Sequence, residues 1–440
     1  MGQSKLKLVK DHKYPFMTWM KDLFPICRSL TGNGVDKTLF YLKNEIDIQL
    51  KVIKFKTGTK VFDWKIPKIW NIKNAYIKTL GGKIIVDFKE NNLHVLGYSI
   101  PINTIIDKKK LLPHIFTQPN QPKLIPYVTS YYKNEWGFCM SEIQKRKMNE
   151  KKYKIFIDST LKNGELKIAE HFIKGKKNKE IFFSTYFCHP SMANDNLSSV
   201  VIQSALIKYI HSNFKSTNYS YRFIFLPETI GSIAYLSKNH KKLKRNLIAG
   251  FNLSCVGDGR CFSHIESRNG NTLADIALDA SFTGKKNKKK YSFLHRGSDE
   301  RQYCAPGIDL PVCGFSRSKY GAYDEYHTSA DNLNMVNNSS MEESLKILTT
   351  IIECFETGLY PTTLIKAEPQ LGRYGLYPTI SQKGSYHNKK FSKLEFINRC
   401  NVIAYSDGKT DIFEIAKKIN MTLVEIVKEI KILKKNRIIR

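Results

Sequence analysis

A chain of 440 residues is too long for one ordinary domain, and at 42% hydrophobic and 12% aromatic it can bury a large core, which excludes wholesale disorder. The formal net charge of +32 admits nucleic acid, an anionic membrane surface or acidic glycans as partners. Lysines occur in every segment, however, with small clusters at 285–290, 241–245 and 431–435, so the charge reads as solvated surface and not as one binding stripe.

Nine cysteines without a CxxC pair argue for reduced thiols and a cytoplasmic protein. The first 24 residues show no apolar leader core and no small-residue cleavage site. Gly2 follows Met1, but Leu6 stands where a myristoylation signal needs Ser or Thr. No apolar run approaches the ~18 residues of a membrane span.

In chain order, FMTWMKDLFPICRSL (16–30) reads as helical, TGNG breaks it, and VDKTLFYLKNEI (35–46) resumes at helical spacing, with Gly34 or Asp36 at its start. Residues 53–130 are rich in aromatic and β-branched side chains punctuated by Gly-Gly and Asn-Asn, which predicts short antiparallel strands in an inserted β-rich domain. From about residue 152 apolar runs alternate with amphipathic stretches. YKIFIDST, EIFFSTYF, YRFIFLP, LIAGFNLSCVG and DLPVCGFS read as strands, and the segments between and after them as helices, the pattern of an α/β sheet buried on both faces. The expected main domain is therefore 1–52 with 131–370. A Gly/Pro/Tyr-rich linker follows (366–385). Residues 385–440 then read as a winged-helix-like unit whose last helix buries Leu423, Ile426, Val427, Ile430 and Leu433.

Several chemically active residues fall at strand ends, where sites in such sheets gather. His189 follows EIFFSTYFC, Asp195 opens the next helix, Glu228 follows YRFIFLP, and His327 lies in DEYHTSADN beyond a further strand. Singly, each has a plain alternative: His189 or His327 as a polar loop residue, Asp195 or Glu228 as a helix cap. Jointly, two imidazoles and carboxylates at one sheet edge make a ligand set for zinc.

The motifs around these residues resemble those of the co-catalytic zinc aminopeptidases, which have a phosphorylase/hydrolase-like fold. ANDNLSS (193–199) resembles their GA-x-DN-x-SG segment, and FIFLPETIGSIAYLS (223–237) their strand-E-E-x-G-x-x-GS segment. GFNLSCVGD (250–258), RGSDERQYCAPGIDLPV (296–312) and YHTSADN (326–332) resemble three more, all in family order. PETIGSIAYLS, GSDERQYCAPG and EYHTS are closer still to a bacterial aminopeptidase-like branch. That branch carries an N-terminal β-rich insertion and a winged-helix tail, and its members are often linked to surface polysaccharide biosynthesis.

The resemblance implies a mixed α/β sheet with helices on both faces and a zinc-dependent hydrolase of an amide or peptide bond. It implies His189, Asp195 and His327 as metal ligands, Glu228 as base or fourth ligand, and Asp299, Glu300, Arg301 and Tyr326 at the substrate, with Glu325 and Tyr303 as further candidates. Three departures point to one ion more than to two. The family's second glutamate is missing beside Glu228, which Pro227 and Thr229 flank. Its third-strand aspartate falls on Ser254, with Asp258 four residues on. Ser191 stands where the family has an acid after its histidine. The competing reading is a degenerate peptidase domain in a regulatory or nucleic-acid-binding protein. It is not favoured, because the expected recognition helix from Thr422 carries Glu425 and Glu429 where a DNA reader needs Arg, Asn or Gln. A homo-oligomer is compatible with the sequence.

Overall fold

The computed structural model describes residues 14–378, 380–382, 385–387 and 393–440. The leader reading of the N-terminus rests largely on residues 1–13, which lie outside these, as do parts of the linker and of the expected start of the tail.

The main sheet has eight strands in the order Lys51–Lys56, Glu165–Ile173, Ser220–Leu226, Glu180–Tyr186, Leu247–Leu253, Val312–Ser316, Phe262–Ile265, Lys288–Tyr291. Its four middle strands, from Ser220–Leu226 to Val312–Ser316, are mutually parallel, and the strands on either side of them, Glu165–Ile173 and Phe262–Ile265, run antiparallel to them. EIFFSTY and SYRFIFL are buried at every position, because helices cover both faces. Ser198–Asn213, Leu273–Ser281 and Asn338–Gly358 pack on one face, and Ile230–Asn246 on the other. Register sets up the site. Tyr186 pairs with Leu226, Thr185 with Leu253, and Leu253 with Phe315, so these parallel strands release their chains at one edge.

The β-rich insertion is present, but its expected limits of 53 and 130 do not follow the strand pairing. Lys51–Lys56 joins the main sheet against Glu165–Ile173. Lys152–Lys162, read as the first strand of the main domain, is instead a central strand of a separate four-stranded antiparallel sheet with Ile69–Thr79, Ile84–Asp87 and Ile102–Asp107. Its alternating burial, with every second residue inward, marks a sheet covered on one face only. The first helix, Phe16–Leu23, also stops short of the expected 30: Phe24 still has helical backbone and donates to the Met20 carbonyl, but Pro25 after it has no N–H with which to continue the ladder.

The tail contains the helices Lys393–Ala404, Ile412–Lys418 and Leu423–Lys435, and the expected apolar stripe of the last is buried. The unit begins earlier than 385: Thr362 bridges to Asp407 and Thr363 to Ile439. Its last helix lies on Asn338–Gly358, with Lys434 Nζ donating to the Thr357 carbonyl and Lys431 3.6 Å from Glu353. Among the described residues no helix is long and apolar enough to cross a membrane.

Candidate metal and catalytic site

The strand Glu180–Tyr186 ends three residues before His189, and the chain then makes one turn, Ala193–Leu197, before the helix Ser198–Asn213. Asp195 sits in that turn with non-helical φ/ψ, not at a regular helix start as the spacing suggested. Asp331 holds the turn in place. Its two carboxylate oxygens accept from the amides of Asn194 (2.6 Å) and Asp195 (2.9 Å), and its carbonyl accepts from Ala193 (2.9 Å). Asn196 pins the same turn to the sheet edge, donating to Thr185 Oγ1 (3.0 Å) and accepting from the Cys255 amide (3.0 Å).

This folding brings His189, Asp195 and His327 together, with one donor atom from each lying within 4.8 Å of the others. Asp195 Oδ2 is 3.1 Å from His327 Nε2 and 4.0 Å from His189 Nε2. Glu228 Oε2, released by the neighbouring strand, is 3.8 Å from His189 Nε2. Asp195 Oδ1 accepts from the Tyr186 hydroxyl, whereas Asp195 Oδ2 and His327 Nε2 are buried and, facing each other across 3.1 Å, have no other hydrogen-bonding partner among the described residues. Buried polar atoms are almost always paired. Two that meet only each other, beside a second imidazole, suit a cation between them, and the nitrogen–oxygen donor set suits zinc.

Electrostatics follow from burial. Desolvation pushes His189 down to about 4, with His327 and Arg28 adding to it against the pull of Asp195. Burial acts to raise Asp195, but His189, His327 and the Tyr186 hydroxyl outweigh it and hold the carboxyl at about 2. Glu228 is pushed well above the usual carboxylate range by burial and by Asp299 and Asp195. Ser191, Thr229, Cys255 and His327, all on the loops of this edge, have positive φ of 45°, 63°, 55° and 56°. Such conformations are uncommon for residues other than glycine and gather where function holds the backbone.

The other expected residues divide. Tyr326 stacks on His327 at 3.9 Å and 14°. Asp299 is buried at the start of the helix Ile230–Asn246, accepts from the Thr229 amide (2.8 Å) and Ser232 hydroxyl (2.7 Å), and is raised to about 6, mainly by burial. Arg301 donates to Thr229 Oγ1 at 2.7 Å and leaves its Nε unpaired. Glu300 does not fit its expected place at the substrate. It is fully buried, and its oxygens accept from Gly297, Ser298, Tyr320 and Asn252. Tyr303 is likewise a core residue hydrogen-bonded to Ser184 at 2.7 Å, and Glu325 is held by both outer nitrogens of Arg260. Asp258 is spent on Asn194, Ser318 and the Arg260 amide, and Ser254 Oγ lies 3.3 Å from Ser316 Oγ.

Sequence reasoning missed Tyr186, Asp331, Arg28 and Tyr127. Asp331 stands inside the quoted YHTSADN, and its spacing from His327 was the available signal. Arg28 is buried and donates to the His189 carbonyl at 3.2 Å. Tyr127 comes from the segment assigned to the insertion. Its ring is 5.1 Å from both His189 and His327, and its amide donates to the His327 carbonyl at 2.8 Å. A second cluster, His264, Asp275 and Cys313, is closed to a metal by its own bonds, since both His264 nitrogens already meet carboxylates.

Residues 17–358 match the family model described as a domain of unknown function, DUF4910, and residues 359–440 match a winged helix-turn-helix model. A Clostridium acetobutylicum protein, provisionally named for polysaccharide biosynthesis and an aminopeptidase-like domain, is 41% identical over 404 residues, covering 91% of this chain and 90% of that protein. A crystal structure from the same organism, provisionally named a peptidase, superposes with a TM-score of 0.86 at 38% identity, over 97% of this chain and 95% of that one. A Bacillus subtilis zinc aminopeptidase shares the fold at 12% identity and a TM-score of 0.54, over 77% of this chain and 93% of its own.

Proposed function

Since the chain belongs to the DUF4910 family, with an aminopeptidase-like fold and a winged-helix tail, we propose that it is a zinc-dependent hydrolase that cleaves an amide or peptide bond. The observation that carries this reading is the pair of buried atoms Asp195 Oδ2 and His327 Nε2, which among the described residues have no hydrogen-bonding partner but each other and converge beside His189. These three residues would hold the ion. A bound zinc supplies Lewis acidity toward the scissile carbonyl and acidifies a water.

The chain's own residues do the rest. Glu228 stands at the mouth of the site, 22% exposed; a bound cation would favour its ionised form against the burial and acids that raise it, and in that form its Oε2 can take the proton of the attacking water and return it to the leaving amine. Such transfer is worth roughly 10²–10⁴ in rate. Tyr127 and Tyr326 pack against the imidazoles, leaving His189 buried and His327 35% exposed. Arg301, with its free Nε, can bind a substrate carbonyl or carboxylate, and Asp299 carries the role of holding a substrate amine. One ion suits the site better than two. Ser254 is a hydroxyl turned to Ser316, Asp258 is fully hydrogen-bonded, and Thr229 stands where the second glutamate would be.

The tail gives little support to nucleic-acid reading. The helix Leu423–Lys435 seats on the main domain, its Glu425 is committed to capping at Thr422, and it contains no Arg, Asn or Gln. Metal analysis of the full chain and a panel of aminoacyl nitroanilides test the proposal. About one zinc per chain is expected, with hydrolysis removed by chelator, and Glu228→Gln is expected to keep the zinc and lose about 10²–10⁴ in rate. A wild-type chain that binds no zinc, or a Glu228→Gln chain of full activity, overturns it.

A further inference from the structure

A cavity of about 500 Å³, separate from the proposed metal site, gathers the cations Arg260, Lys286, Lys288, Lys289 and Lys319 in its wall. The edge strand Lys288–Tyr291 supplies part of it through Lys288, Lys289 and Tyr291. Lys290 pairs instead with Glu266 (3.0 Å) and Asp279 (2.8 Å), and Lys288 also reaches toward the Phe282 carbonyl. Lys319 rises over the Tyr320 ring at 4.1 Å and forms no ion pair among the described residues, and burial pushes its pKa down against the pull of the Glu300 carboxylate. Arg260 is neutralised by Glu325, at 2.6 Å. Lys286, Lys288, Lys289 and Lys319 then face a single further acid in the wall, Asp324, which leaves three positive charges uncompensated in a concave surface. A concave wall of one sign concentrates counter-ions.

The cavity is tied to the site by the loop that leads to His327. Tyr323, in the cavity wall, donates to Asp331 Oδ2 at 3.2 Å, and that same oxygen accepts from the Asp195 amide. Asp324 is three residues from His327, a reach of at most about 11 Å. The cavity wall and the proposed metal site therefore share one loop.

We propose that this cavity is an anion subsite that takes a doubly charged phosphate group of the substrate, a phosphate monoester or a diphosphate, remote from the bond that is cleaved. That the anion belongs to a substrate rests on the hydrolase reading; the anion binding itself does not.

The test is titration calorimetry of the full chain with inorganic phosphate and with pyrophosphate at constant ionic strength, with zinc content measured on the same samples. Saturable binding of one anion per chain is expected. Tighter phosphate binding assigns a monoester, and tighter pyrophosphate binding a diphosphate. The double variant Lys286→Ala/Lys289→Ala should weaken binding at least ~10-fold, as loss of two charge contacts does. Lys109→Ala/Lys110→Ala, which removes two exposed lysines elsewhere, should leave it unchanged, and so should His327→Ala. No saturable binding of either anion, equal weakening in the Lys109/Lys110 control, or loss of binding in His327→Ala overturns the proposal, the last because it places the anion on the metal. Zinc without anion binding defeats the subsite alone, whereas anion binding without zinc defeats the hydrolase reading alone.

Discussion

Tyr186→Phe removes one oxygen and leaves the packing in place. The Tyr186 side chain is 1% exposed, its ring lies 5.0 Å from His189, and its hydroxyl donates to Asp195 Oδ1. Asp195, held at about 2, is ionised at neutral pH, so this is a hydrogen bond to a charged acceptor, worth about 1.5–3 kcal/mol. The other oxygen, Oδ2, faces His327 and His189. Without the phenol the carboxylate is free to turn about its Cβ–Cγ bond, and the loss falls on the oxygen proposed to meet the metal. Loss of an outer hydrogen bond to a ligand costs about 10–100-fold in metal affinity, or about 1.4–2.7 kcal/mol, the same range reached from the hydrogen bond alone. Competition for zinc against a chromophoric chelator measures it. The zinc Kd of Tyr186→Phe should rise 10–100-fold over wild type. A wild-type chain that binds zinc, with a Tyr186→Phe constant within a factor of about two of it, refutes the view that the phenol positions Asp195 for a metal.

The winged-helix tail should depend on a buried ion pair. Arg399 and Glu429 are 3% and 6% exposed at 2.5 Å, and removing one partner of such a pair costs about 3–5 kcal/mol. Glu429→Ala should therefore speed amide exchange across 393–435, and Arg399→Met/Glu429→Leu should restore most of the protection; unchanged exchange in the single variant counts against the pair. Stability should also carry a pH signature from His264. Burial opposes the charge on this ring, but Asp275 and Asp279 outweigh it and raise its pKa above 6.5. Because the folded value is raised, the stabilisation is fully present below 6.5 and is lost as pH climbs through the raised value. The drop in Tm caused by Asp279→Asn should be larger at pH ~6 than at pH ~9; equal drops at the two pH values refute the assignment. Asp275 acts in the opposite direction. Held at about 2 against its own burial by His264, Ser267 and Thr272, it keeps its contribution until pH falls below 3.8 toward that value.

The main sheet was legible because its parallel strands are continuous apolar runs ending in polar residues, and local sequence alone marks both features. Once those strands are parallel and in register, His189 and Glu228 emerge side by side, since Tyr186 pairs with Leu226. The limits of the insertion were not legible. KVIKFK and KYKIFIDSTLK are both strands by any local reading, yet the first joins the main sheet and the second the small one. Strand type is written in a few neighbouring residues, whereas choice of partner strand is decided by contacts roughly a hundred residues away.

The same division separates the site's acids. Sequence places Asp195, Asp258, Asp299, Glu300 and Glu325 near one edge, and nothing in their spacing says which are free to act. What decides is the count of donors that reach each one. Glu300 meets Gly297, Ser298, Tyr320 and Asn252, Asp258 meets Asn194, Ser318 and the Arg260 amide, and Glu325 meets Arg260. Those carboxylates hold loops together. Asp195 keeps one oxygen on Tyr186 and leaves the other bare, and Asp299 likewise leaves Oδ2 unpaired. An acid that folding leaves half-satisfied in a buried place retains capacity to bind something else, because the cost of leaving it so, about 1–3 kcal/mol per unpaired group, is recovered when a partner arrives. By that criterion the edge has two acids with capacity to spare, Asp195 toward the imidazoles and Asp299 toward the substrate side. Glu228 stands close to both: it lies 3.8 Å from the His189 nitrogen that Asp195 also approaches, and the Asp299 and Asp195 charges both add to the burial that raises its carboxyl.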